Sequence, residues 1–237
     1  MTNSTTMRPP EPSQPTLADC LDGVLHARRS VRAYKPDPVP RETLLDILRV
    51  ASTAPSNSNT QPWRVHVLTG ERKEALAQAL VAVFQEGSLP PSPHFPDPLP
   101  PHFAERQAEF ARHYYASLGI ARDDAAARAL QTQRNFSFFG APVGLIFTID
   151  HRLARHSWLD LGLFVQSVML AAKARGLDTC PQVSFARFHP VIVPVLAMSP
   201  EELTVCGMSL GYGAHELAVN RMTMPRQPLN EFVRFHD

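Results

Sequence analysis

The sequence predicts an α+β fold, and three observations carry that expectation. Helical periodicity recurs along most of the chain, whereas strand patterns are few. The two do not alternate as a doubly wound sheet would require. The third observation is residues 158–172, apolar on nearly every side and too long for a strand. They read as a central buried helix, stopped at Gly176.

The elements follow in order. Residues 1–15 hold four prolines and little to bury, so residues 1–16 read as a tail ahead of one domain over 17–237. Thr16 opens a helix, with Asp19 three residues on as a capping box. Leu17, Cys20, Leu21, Val24 and Leu25 fall at i, i+3, i+4, i+7 and i+8, the template of a buried stripe. A second helix runs from about residue 41 into the region of residue 51, with Leu44, Leu45, Ile47, Leu48 and Ala51 on one side. Residues 63–68 set Trp63, Val65 and Val67 against Arg64 and His66, a half-buried strand. A helix over 71–84 buries Leu76, Leu80, Val83 and Phe84.

Residues 89–101 contain seven prolines, which forbids a regular element there. Helical composition returns over 103–134, so residues 85–135 form an inserted excursion. Such an insertion either covers a site or merely decorates the surface. The apolar run 143–149, behind Gly140-Ala141-Pro142, reads as a central strand. Residues 203–210 give another strand and residues 232–235 a short edge strand.

Composition narrows the function. With 44% hydrophobic and 19% charged residues over 237 positions, the chain can build a core without a metal or disulfide staple. Lys and Arg total 23 against 22 Asp and Glu, a net charge of +1. This excludes a nucleic-acid binder that relies on a general basic field. Cys20, Cys180 and Cys206 lie far apart without a C-x-x-C and read as reduced, buried thiols of a cytoplasmic protein. No secretory h-region is present, and the charge-free stretch 161–172 is too short to span a bilayer. Neither a nucleic acid nor a membrane is expected as a partner.

Most catalytic motifs are absent from the sequence. It has neither a P-loop nor a G-x-G-x-x-G, and its ten histidines form no H-E-x-x-H. His151 and His156 stand five apart, which is not a helical ligand spacing, so no metal site is expected. Gly207-Met208-Ser209-Leu210-Gly211 fits G-x-S-x-G, but Tyr212 and Gly213 interrupt the helix that a nucleophile elbow needs. That pattern reads instead as a strand end where another group approaches the backbone closely.

Two signals remain. Carrying the first helix on at ~100° per residue returns Arg28 almost to the direction of Leu17. A core-facing arginine needs an anion, and Arg29, Ser30 and Arg32 follow at once, a set suited to a phosphate monoester. The same residues also suit an ordinary helix end whose cations complement the dipole. The second signal is the loop Pro55-Ser56-Asn57-Ser58-Asn59-Thr60-Gln61-Pro62, rich in small polar and amide side chains. It could read the edge of a polar heterocycle or simply be a solvated loop.

Taken in order along the chain, these two segments resemble the FMN-dependent nitroreductase family. The resemblance continues through Phe139-Gly140-Ala141-Pro142, Gly176-Leu177-Asp178-Thr179-Cys180-Pro181, Gly211-Tyr212-Gly213 and Pro225-Arg226-Gln227-Pro228-Leu229, covering roughly residues 17–237. It implies a mainly antiparallel central sheet flanked by helices, in an intertwined homodimer with two FMN molecules at the subunit interface. Arg28, Arg29, Ser30 and Arg32 match the segment that holds phosphate, ribityl and pyrimidine. Pro55, Ser56, Asn57 and Asn59 match the loop supplied by the other subunit. Pro181, Gln182, Val183 and Ser184 match the loop whose backbone amide faces flavin N5, and Arg226 matches a C-terminal phosphate contact. Some members carry an acidic residue and glycine where this chain has Val183 and Ser184, and a basic residue where it has Met224.

The resemblance implies a ping-pong reaction. NAD(P)H passes a hydride to the flavin, and a flat aromatic acceptor such as a nitroaromatic then receives two electrons. No side chain serves as nucleophile or general base. Phe103, Phe110, Tyr114 and Tyr115, with Phe136, Phe138 and Phe139, are either the acceptor pocket or core packing. Same-fold alternatives are quinone or enone reduction and reductive dehalogenation; flavin binding without turnover is a third.

Overall fold

In a computed structural model, which describes residues 14–87 and 98–236, four strands form one antiparallel sheet. Most of the expected tail, and the prolines between 89 and 97, lie outside the described residues. The strands are β1 (Arg64–Leu68), β2 (Val143–Asp150), β3 (Asp178–Gln182) and β4 (Glu202–Gly211), in the order β1-β2-β4-β3.

Helices cover both faces of the sheet, which is why β2 is an unbroken apolar run rather than an alternating one. On one face Val143, Leu145, Phe147 and Ile149 pack with α2 (Arg41–Ala51) and α6 (Arg155–Lys173) through Leu44, Ile47, Leu161, Phe164 and Val168. On the other, Ile146 meets Leu76 and Leu80 of α3 (Gly70–Gln85) and Ile192 of α7 (His189–Leu196). The excursion supplies α4 (Pro101–Ser117) and α5 (Ala125–Phe136). The remaining helices are α1 (Leu17–Ala27), α8 (Ala218–Arg221) and α9 (Leu229–Phe232).

Several expectations need correction. The capping box of Thr16 and Asp19 forms, yet no residue of α1 is buried, and Leu17 is 87% exposed. Periodicity fixes which side of a helix is apolar; it does not fix what covers that side. Leu45 on α2, Val67 on β1, and Leu159 and Leu163 on α6 are likewise exposed, and Leu68 is the buried end of β1. Val83 and Phe84 are only partly buried. Cys20 is exposed, whereas Cys180 and Cys206 are buried, and burial pushes the Cys206 thiol up to about 12.

The expected strand over 232–235 is not formed. Pro228 caps the short helix α9, and the residues after it find no neighbouring strand to complete a ladder. Conversely, β3 was hidden by Pro181, which is tolerated because β3 lies at the sheet edge, with a ladder to β4 on one side and a single bridge from Ser30 to Thr179 on the other. The serine of G-x-S-x-G is fully buried within β4, its Oγ 3.1 Å from the Tyr34 hydroxyl. A Cβ at Gly207 would lie 2.8 Å from the Phe185 ring, and one at Gly211 2.5 Å from Pro142. The two glycines therefore serve close packing.

Candidate functional site

The chain leaves α1 at Ala27, and Arg28 is already extended (φ −64°, ψ 123°), so the helical projection of Arg28 onto the α1 stripe fails. A strand-like alternation replaces it. Val31 and Ala33 point into the core, while Arg28, Ser30 and Arg32 are half-buried on the opposite side. The segment is stitched down by long-range bonds. The N–H of Val31 donates to the Thr179 carbonyl at 3.0 Å, that of Ala214 to the Ala33 carbonyl at 3.0 Å, and that of Lys35 to the Tyr212 carbonyl at 2.8 Å.

A cleft of about 630 Å³ opens over this segment, lined by Arg28, Arg29, Ser30, Arg32, Phe110 and Arg226 among others. The Arg32 guanidinium lies 5.1 Å from the ring centroids of both Phe110 and Tyr114 and donates to the Ser30 carbonyl at 3.2 Å. Arg29 donates to the Arg221 carbonyl at 3.4 Å, and Arg226 to the carbonyls of Met224 and Pro225 at 3.1 and 3.2 Å. Among the described residues no carboxylate pairs with any of these arginines. Like charges gathered without an acid repel one another, so the cleft is complementary to a doubly charged anion. A terminal phosphate such as that of FMN fits this donor set. Beneath the cleft, burial raises the Cys180 thiol, with Arg32 and Arg28 opposing.

Within one chain the amide-rich loop does not reach the cleft. None of Pro55, Ser56, Asn57 and Asn59 lines it. Their segment is a 3-10 turn fastened to α6, where the Asn57 N–H donates to buried Asp160 Oδ2 at 3.2 Å. The Ser56 Oγ accepts from the Gln61 N–H at 3.0 Å, and Asn59 has a left-handed φ of 56°. The Asn57 and Asn59 side chains are left facing solvent.

Pro181 and Gln182 end β3, and Val183 and Ser184 open the 3-10 turn that follows. Val183 is half exposed. Gln182 is buried; its Nε2 donates to the Asn135 carbonyl at 2.5 Å and to Asn135 Oδ1 at 3.2 Å. The aromatic candidates scatter. Phe110 lines the cleft, whereas Tyr114 is buried with Ala33, Ala214 and Val219. Tyr115 lines a separate groove beside Arg112 and Arg122, its ring 4.1 Å from the Arg128 guanidinium, and Phe103 is exposed near Arg106. Phe136, Phe138 and Phe139 are core residues, Phe138 fully buried and 5.0 Å from the Phe185 ring. Their place in an acceptor pocket is corrected to packing, because the turn Phe138–Gly140 folds the Phe138 ring onto Gly144.

Sequence reasoning missed two further features. Asn220 is a lone amide in an apolar run that becomes buried and bonds to the arginine segment. Buried Asp178 lies 2.9 Å from Lys173 Nζ and 2.8 Å from His215 Nε2, holding the start of β3 against the Gly213 turn. The signal for both is a polar residue placed where burial demands a partner. Among the described residues, no helix is long and apolar enough to cross a membrane.

Comparison with known proteins bears on this geometry. The model of the Nitroreductase family matches residues 25–212. The 4-nitrobenzoate reductase of Pseudomonas putida is 48% identical over 219 residues, covering 92% of this chain and 96% of that protein. The chloronitrobenzene nitroreductase of Comamonas testosteroni is 44% identical over 218 residues, 91% of this chain and 96% of that protein. The solved FMN-dependent nitroreductase NfnB from Mycobacterium smegmatis, in complex with NADPH, has a TM-score of 0.88 at 34% identity. That match covers 94% of this chain and 100% of the other.

Proposed function

The chain belongs to the nitroreductase family, and from that premise we propose that it is an FMN-dependent oxidoreductase carrying electrons from NAD(P)H to a nitroaromatic. The observation that carries the reading is the cleft where Arg28, Arg29, Arg32 and Arg226 gather with no carboxylate paired to them among the described residues. When bound there, FMN supplies the redox chemistry, accepting a hydride and releasing two electrons.

The protein's own part is binding and orientation. Arg28, Arg32 and Arg226, with the Ser30 hydroxyl, hold the phosphate. Arg29, which donates to the Arg221 carbonyl, closes the rim. The backbone of Pro181, Gln182, Val183 and Ser184 would face the flavin, and Phe110, which lines the cleft beside Arg32, would offer it a flat apolar wall. Donor and acceptor occupy one place in turn, a ping-pong order.

A second copy of the chain completes the site. The exposed Leu17, Leu21 and Leu25 of α1, Leu159 and Leu163 of α6, and Leu229, Phe232 and Phe235 near the C-terminus support an intertwined homodimer. In it, the loop holding Pro55, Ser56, Asn57 and Asn59 reaches the partner's cleft, and FMN lies at the interface. Residues 17–237 act as one FMN-binding domain whose excursion borders the site. The unpaired thiols suit the cytoplasm.

Cofactor release, turnover and assembly each test the reading. Denaturing the purified protein should release FMN, and release of FAD alone would overturn the cofactor. Under anaerobic conditions NADPH or NADH should bleach the yellow protein, and a nitroaromatic should restore its colour. Bleaching by neither donor would leave a flavin binder without turnover. Sedimentation should give a dimer; an active monomer at low concentration would overturn the shared site.

A further inference from the structure

The excursion meets the candidate site at two separate places, through Tyr114 of α4 at Arg32 and through Asn135 of α5 at Gln182 and Ser184, and one face of α5 supports both. Gln131 and Asn135 stand four residues apart on α5 and so project to the same side. Gln131 is buried, and its Nε2 donates to the Tyr114 hydroxyl at 2.6 Å. Tyr114 in turn presents its ring 5.1 Å from the Arg32 guanidinium in the cleft. One turn further along α5, Asn135 meets the other end. Its carbonyl and Oδ1 accept from Gln182 Nε2 at 2.5 and 3.2 Å, and its Nδ2 donates to Ser184 Oγ at 2.5 Å.

From this we infer that Gln131 and Asn135 are positioning residues, through which α5 sets Arg32 at the phosphate end and the Gln182–Ser184 loop at the reactive end. The inference rests on the proposed flavin site and extends it, since neither residue lines the cleft itself. Asn135 acts through Gln182 and Ser184, and Gln131 acts through Tyr114. The amide of Gln131 is committed to a buried phenol, and the Gln182 amide can reach Asn135 only if α5 keeps its place. The excursion is thus part of the site's frame. Gln131 serves cofactor binding, and Asn135 serves reactivity.

This division is testable on the holoenzyme. Asn135→Ala should slow bleaching of bound flavin by NADPH by about 3–10-fold while FMN affinity stays within about 2-fold. The visible circular dichroism of its flavin should also change. Ser184→Ala should do the same to a smaller degree, and adding it to Asn135→Ala should change little more, because the hydrogen bond it breaks is one of the two that Asn135→Ala already removes. Gln131→Leu should weaken FMN by about 3–10-fold and leave bleaching of the flavin that remains bound within about 2-fold. Thermal unfolding of each apo-protein separates these effects from general loosening. If both variants lose FMN and melting temperature in parallel, with unchanged bleaching, the residues are merely structural and the inference falls. Variants that behave as wild type overturn it too. A wild-type protein that binds no FMN overturns the proposed function and this inference together.

Discussion

The Oδ1 of Asn220 accepts the backbone N–H of Arg32 at 2.8 Å, joining residues 188 positions apart. Its Nδ2 donates to the carbonyls of Ala33 and Ala214 at 2.8 and 2.9 Å, so one buried amide clips the arginine segment to the C-terminal part of the chain. Asn220→Ala would leave the Arg32 N–H unpaired in a part-buried setting and take one of two donors from each of the Ala33 and Ala214 carbonyls, which keep the N–H groups of Ala214 and Leu217. We expect a loss of about 2–3 kcal/mol in stability and about tenfold in FMN affinity. Urea unfolding and flavin titration measure the two. A stability change below about 0.5 kcal/mol would refute the clip.

Arg28→Ala should lose flavin and keep the fold. The Arg28 guanidinium has no hydrogen-bond or ion-pair partner among the described residues, and Arg29 and Arg32 stand beside it. Its removal relieves repulsion in the apo-protein but takes a charge-assisted contact from the phosphate. FMN affinity should fall by about 10–100-fold, with apo stability unchanged within about 0.5 kcal/mol. Equal dissociation constants would remove Arg28 from the site.

Gly144→Ala probes the packing under the excursion. A Cβ there would stand 2.6, 2.7 and 2.9 Å from three carbons of the Phe138 ring. Phe138 is fully buried, with a left-handed φ of 54°, and cannot swing aside. The variant should lose about 1–3 kcal/mol, and adding Phe138→Leu should cost less than it does in wild type. Strict additivity in urea unfolding would show that the two do not clash.

Acid should expose the role of Glu202. Burial pushes its carboxyl up, but hydrogen bonds from Thr148 and His66 together outweigh this and hold it below its usual value. The folded state therefore binds fewer protons than the unfolded state in that window. The stabilisation is fully present above the unfolded carboxyl's pKa of about 4.3 and is lost as pH falls through the lower folded value. Unfolding midpoints of Glu202→Gln should accordingly fall less steeply than wild type below about pH 4.3. Parallel curves would show that the carboxylate contributes nothing.

Local sequence settled what local backbone physics controls. The capping box at Thr16, the helices near 41–51 and 71–84, the apolar strand through Ile146 and the central helix over 158–172 were legible because periodicity and end signals act over a few residues. The family resemblance grouped the arginine segment with Arg226, and both line one cleft. What was hidden depends on which surfaces meet. Arg28 shares a face with Ser30 and Arg32 through strand alternation, because the chain leaves the helix at Ala27 and Val31 then pairs with Thr179. Phe138 is core and Phe110 lines the cleft, although nothing in their neighbouring residues distinguishes them. Asn220 and Asn135 matter only through partners remote in sequence, and β3 exists only because β4 lies beside it. A residue's own dihedral preferences are written in its neighbours, but its burial and its bonding partners are fixed only when distant segments pack together.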